Sequence, residues 1–102
     1  MKLQRFERLT ADGRPDGEVY LFWCPGCKAR HALNVGRQRR PVWTFSGDME
    51  NPTFSPSLLY PDKTPRCHLF LRGGKLEFLS DCGHALAGQT VDLPDIPDEY
   101  AM

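Results

Sequence analysis

This chain of 102 residues has no excess of charge, because Lys plus Arg and Asp plus Glu both number 13. A balanced molecule exerts no net long-range pull on nucleic acid or on an anionic membrane. No apolar run approaches the ~20 residues that a membrane helix needs. Residues 1–13 (MKLQRFERLTADG) hold no apolar core of the signal-peptide kind. Long helices are also disfavoured, since nine prolines and nine glycines punctuate the chain. No internal repeat or low-complexity segment is visible. Cysteine is scarce, with four in all. A cytoplasmic setting is expected, and in that reducing compartment cysteines are explained better by metal than by disulfides.

What remains is the composition of one small folded domain, 40% hydrophobic and 25% charged. Its short β-forming runs predict an all-β, zinc-ribbon-like fold of short antiparallel strands with at most one helical turn. Strands are expected over 3–9, over 19–23 (VYLFW), around His31, Leu33 and Val35, and over 42–45. Pro52 and Pro56 keep 51–60 (NPTFSPSLLY) extended. Residues 67–72 and 75–80 flank Gly73-Gly74, a two-residue hairpin turn. Asp81 is positioned to cap one helical turn through Leu86, and 89–93 forms a last strand. Residues 1–93 then make a single zinc-binding β domain, and 94–102 an acidic, Pro-spaced C-terminal tail.

Cys24-Pro25-Gly26-Cys27 has the spacing of a zinc knuckle, in which both thiolates reach one tetrahedral ion. Pro25 fixes one dihedral, and Gly26 permits a positive one. The hairpin supplies a second pair. A Gly73-Gly74 turn pairs Leu69 with Phe78 and Cys67 with Ser80. Side-chain alternation then puts Cys67 and, by continued parity, Cys82 on one face. The expected ligands are Cys24, Cys27, Cys67 and Cys82, with zinc as the metal. A mixed thiolate and imidazole site stays open, with His84 the first alternative and His31 and His68 behind it. His68 faces away from Cys67, towards Asp81 and Glu77. A contact there would support the metal site or begin a polar one.

Other chemistries fit less well. A redox C-x-x-C needs a long following helix, and Gly36 and Pro41 leave no room for one. The H-x-E of a zinc deaminase is absent, as are H-E-x-x-H, a phosphate loop and G-x-S-x-G. Five bases and no acid lie between Lys28 and Arg40, with Trp43 and Phe45 just beyond. Arg37, Arg39, Arg40 and Trp43 are therefore candidate nucleic-acid contacts, set against the plainer reading of a solvated edge beside core aromatics.

A set of rarer motifs is similar to a known family. These are 22–27 (FWCPGC) with His31, then 43–45 (WTF), 51–57 (NPTFSPS), 66–68 (RCH), 78–84 (FLSDCGH) and 87–91 (AGQTV). In this order they resemble a family of small phage and prophage proteins, a domain of unknown function often labelled ammonia monooxygenase. The resemblance implies phage or prophage origin, hence a host-cell cytoplasm, and a zinc-type domain with no assigned activity. The resulting expectation is a zinc-stabilised module that binds a protein or nucleic acid rather than catalysing. No membrane partner is expected, and the oligomeric state is left open. The alternative is a small zinc-dependent enzyme using His68, His84 and Asp81.

Overall fold

The computed structural model describes residues 1–36, 41–62 and 64–100. Its strands form two antiparallel sheets. The first has the order β1 (Gln4–Leu9), β2 (Pro15–Cys24), β3 (Ala29–Val35). The second runs β4 (Thr44–Gly47), β5 (Pro52–Tyr60), β6 (Cys67–Arg72), β7 (Lys75–Phe78), β8 (Thr90–Asp92), each strand beside its sequence neighbours. Such an up-and-down order needs only short connections, which suits a chain so rich in turn residues. The expected all-β fold is thus observed. Among the described residues the one helical element is a 3-10 turn at Asp98–Tyr100.

One core joins the sheets. Tyr20, Phe22 and Cys24 of β2 and Leu33 of β3 meet Phe54 and Leu58 of β5, Leu69 and Leu71 of β6, and Leu76 and Phe78 of β7. Aromatic contacts stitch across the gap: Tyr20 stacks on Phe45 with centroids 5.0 Å apart, and His31 lies 4.7 Å from Tyr60. Leu93 and Ile96 are buried as well, and the Ile96 amide donates to the Met1 carbonyl at 2.8 Å. Truncating Leu76, which is fully buried, is expected to cost about 2–5 kcal/mol through lost burial and a residual cavity. Denaturant titration of Leu76→Ala should show a lower midpoint at unchanged slope.

The hairpin forms with the expected register, Leu69↔Phe78 and Arg72↔Lys75, around Gly73 (φ 56) and Gly74 (φ 75). These angles are those of a type I′ turn, whose twist matches the strands it joins. The ladder ends two residue pairs sooner than expected, however. After Leu69↔Phe78 the Leu79 amide still donates to the His68 carbonyl (2.9 Å), and the chain then turns, with Cys82 N–H donating to Leu79 O (3.2 Å). No helical turn follows Asp81. Residues 81–88 form successive tight turns, closed by Ala87 N–H to His84 O and Gln89 N–H to Leu86 O.

The second deviation from simple alternation lies in β5. Phe54 pairs with Leu71 and Leu58 with Leu69, so β5 advances four residues where β6 advances two. Ser55, Pro56 and Ser57 fill the resulting bulge. Pro56 is tolerated inside this central strand because a bulged residue owes no amide to the ladder. The Trp43 indole Nε1 donates to the Ser57 carbonyl at 3.4 Å and anchors the bulge from β4's side.

Candidate active site and metal centre

Two polar groupings lie at the end of the second sheet where β6 begins. The inner one contains Cys24, Cys27, Cys67 and His84, whose ligand atoms all lie within 4.8 Å of one another. Cys24 ends β2 and Cys27 follows the knuckle turn, Cys67 opens β6, and His84 comes from the turns after β7. The Sγ atoms of Cys24 and Cys67 are 3.9 Å apart, and Cys67 Sγ is 3.7 Å from His84 Nε2. A disulfide would bring sulfurs to about 2.05 Å. A tetrahedral ion with ~2.3 Å metal–sulfur and ~2.0 Å metal–nitrogen bonds instead sets edges of about 3.8 and 3.6 Å. The spacing fits a metal and not a cystine.

The electrostatics agree. Cys24 has its pKa lowered, chiefly by the hydrogen bond from Cys67 and further by His31, while the same pairing together with burial raises that of Cys67. The two thiols thus favour a shared proton over two separate ones, and a cation held between them would take the place of that proton. The Cys27 amide supports Cys24 Sγ at 3.4 Å, as knuckle amides do. The Leu86 amide donates to His84 Nδ1 (3.2 Å) and leaves Nε2 facing the sulfur. Metal on Nε2 would move the ring proton to Nδ1 and displace this one contact.

His84, not Cys82, is therefore the residue grouped with the three cysteines. Cys82 Sγ instead accepts from the His68 amide (3.3 Å) and donates to the His68 carbonyl (3.1 Å). Parity failed to foresee this because the ladder stops at Phe78 and the turns beyond it carry no strand alternation. His31 is 2% exposed beside Phe22 and Tyr60, with its Nε2 unpartnered. Gly26 has a different reason from the expected one. Its φ is not positive; Lys28 (φ 54) takes that conformation. A Cβ on Gly26 would overlap the His84 ring. Gly26→Ala should therefore push His84 out and weaken metal affinity by tenfold or more at little cost to the strands. Competition against a chromophoric chelator would measure this.

The outer grouping is Ser57, His68 and Asp81. Ser57 Oγ lies 3.4 Å from His68 Nε2, and His68 Nδ1 lies 3.2 Å from both Asp81 carboxylate oxygens. The Arg66 Nε and Nη2 both donate to Asp81 Oδ2, at 3.1 and 2.9 Å. The Arg66 guanidinium and then His68 hold the Asp81 carboxyl below the usual carboxylate range, so it is ionised at neutral pH. This is a hydroxyl, imidazole and carboxylate in the order a nucleophilic triad requires. The Ser–His separation is on the long side, as is common before substrate binds. The His68 and Asp81 side chains are 25% and 42% exposed, so the triad opens outward.

Local structure explains the convergence. His68 has opposite parity to Cys67 and Leu69, which face the core, so its ring lies on the outer face of β6. Leu59 pairs with His68, and Ser57, two residues before Leu59 at the end of the bulge, lies on the same outer face. Sequence reasoning anticipated the His68–Asp81 contact but missed Ser57. G-x-S-x-G places a serine on a strand-to-helix elbow, whereas this serine sits on a bulged strand at the end of NPTFSPS, a motif that carries no nucleophile signature. Arg37, Arg39 and Arg40 lie outside the described residues. Trp43 is 6% exposed, with its indole N–H spent on Ser57, so it has little surface for a base to stack on.

The chain belongs to the family described as the bacterial ubiquitination-like system serine protease (BubE), which it matches over residues 2–79. No curated protein and no solved structure matches it. The matched stretch includes Ser57, His68 and the three clustered cysteines, while Asp81 and His84 lie beyond it. This overturns the expected kinship with phage and prophage proteins labelled ammonia monooxygenase, and with it the phage host setting. It equally overturns the reading as a zinc-stabilised binding module in favour of the enzymatic alternative. That alternative, with His68, His84 and Asp81 as its acid–base groups around a metal, includes no serine. Among the described residues no helix is long and apolar enough to cross a membrane.

Proposed function

We propose that the chain is a serine peptidase in which Ser57 is the nucleophile, His68 the general base and Asp81 the carboxylate that orients it. Membership of a serine protease family supports the reaction class. The observation that carries the assignment is the Ser57–His68–Asp81 chain of contacts. His68 Nε2 takes the Ser57 proton as Oγ attacks the scissile carbonyl carbon. The same proton then passes to the departing amine as the C–N bond breaks and leaves an acyl-serine. Water, deprotonated by His68, releases the acid and restores Ser57. Asp81 stays ionised throughout, holding the Nδ1–H tautomer and balancing the imidazolium.

The second part of the reading is that zinc occupies the Cys24, Cys27, Cys67 and His84 cluster. Three thiolates and an imidazole suit zinc, and four protein ligands complete its tetrahedron. Such an ion has no open position for water or substrate, so its chemistry is structural. Hydrolysis of p-nitrophenyl acetate tests the acyl-transfer claim without knowledge of the natural substrate. A burst of nitrophenol equal to the enzyme concentration is expected, and Ser57→Ala should lack it. A burst that survives in Ser57→Ala would assign the chemistry elsewhere.

A further inference from the structure

We infer that the metal centre positions the catalytic base, so that this serine hydrolase depends on an ion that never touches its substrate. The inference rests on the triad proposed above and concerns what holds it in place. Each of the two residues that activate Ser57 sits beside a ligand or a clamp. His68 directly follows Cys67, and Asp81 directly precedes Cys82 and comes three residues before His84.

Regular structure does little for either segment. Cys67 and His68 lie beyond the last β6–β7 pair, Leu69↔Phe78, and are paired in the ladder on the β5 side alone. Asp81 lies in the turns after β7, with neither helix nor strand around it. Beside the Arg66–Asp81 ion pair, three further tertiary contacts fasten these turns to the start of β6. Cys82 Sγ bonds both peptide groups of His68, the Gly83 amide donates to Arg66 O at 2.8 Å, and the His84 ring reaches Cys67 Sγ. The His84 ring is seated over Gly26 and meets the Phe78 ring edge-on at 4.8 Å. An ion shared by Cys24, Cys27, Cys67 and His84 ties the base-bearing strand and the acid-bearing turns to the knuckle of the other sheet. Without it, thiolates and imidazole repel or drift, and the His68–Asp81 geometry loses its frame. A displacement near 1 Å at a catalytic group can cost on the order of 100-fold in rate.

The test follows the rate at which a fluorophosphonate probe labels Ser57, alongside far-UV circular dichroism and bound zinc, as chelator is added at 20 °C. Labelling is expected to fall about 100-fold in step with zinc loss while the strand signal is retained. His84→Ala should label as slowly as the chelated protein, and His84→Cys, which restores a fourth ligand, should recover most of the wild-type rate. Unchanged labelling in folded, zinc-free protein would overturn the inference. If chelation also removes the strand signal, His84→Ala decides. Folded variant labelling at the wild-type rate overturns the coupling, and slow labelling upholds it. Loaded wild-type protein that takes no probe on Ser57 removes the triad itself, a distinct failure that the ligand variants cannot mimic.

Discussion

Ser57→Ala is expected to lower turnover by roughly four to six orders of magnitude, with substrate affinity little changed. The size follows from the role. Removing the nucleophile forces direct attack by water, and no acyl-enzyme can form. His68→Ala should fall nearly as far, because Ser57 without its base is an unactivated alcohol. The double variant should be no slower than the worse single one, since the two residues act as one unit. Asp81→Asn should cost on the order of 10⁴-fold while the fold is kept, because an amide favours the wrong imidazole tautomer. Arg66 donates to the carboxylate and not to the base, so its loss should be milder. Steady-state kinetics on one ester substrate would rank all five variants.

Removal of the metal is expected to have the largest effect on stability. A ligand present at about 1,000 times its dissociation constant stabilises the folded state by about 4 kcal/mol. For a domain of this length that corresponds to roughly 15–30 °C in Tm. The same loss is expected for Cys24→Ser and Cys67→Ser, both of which are fully buried. Cys82→Ser, by contrast, should keep its zinc, because Cys82 bonds the His68 backbone and lies outside the cluster. The strands should persist at room temperature without the ion, since Phe22, Leu33, Phe54, Leu69, Leu71 and Leu76 are buried in the core that holds Cys24 and Cys67 and are not themselves ligands. Differential scanning calorimetry with zinc stoichiometry measured on each variant separates these outcomes. Equal zinc loss from Cys82→Ser and Cys67→Ser would refute the ligand assignment.

Much of the fold was legible in the residues because it depends on local rules. Period-two alternation marked β3 and β6, and Gly73-Gly74 set the hairpin register to the residue. The knuckle at Cys24 and Cys27 was legible for the same reason, since C-x-x-C is a local geometry. The rest depends on where regular structure stops. Parity carried Cys82 to the metal because the ladder was extended past Phe78, but the tight turns rotate His84 inward and Cys82 onto His68. Ser57 was hidden by the two-residue insertion in β5, which changes its register against β6 and leaves no trace in NPTFSPS. His68 facing Asp81 was readable from alternation, yet without the serine it was an imidazole without a task. Family membership supplies a reaction class in which a serine beside that imidazole has a role.

The most direct measurement of the central claim is intact-mass analysis of the zinc-loaded protein after reaction with a fluorophosphonate, followed by peptide mapping. One adduct per chain is predicted, located on Ser57, absent from Ser57→Ala and formed far more slowly in His68→Ala. An unmodified protein, an adduct on another residue, or labelling of Ser57 indifferent to loss of His68 would contradict the account.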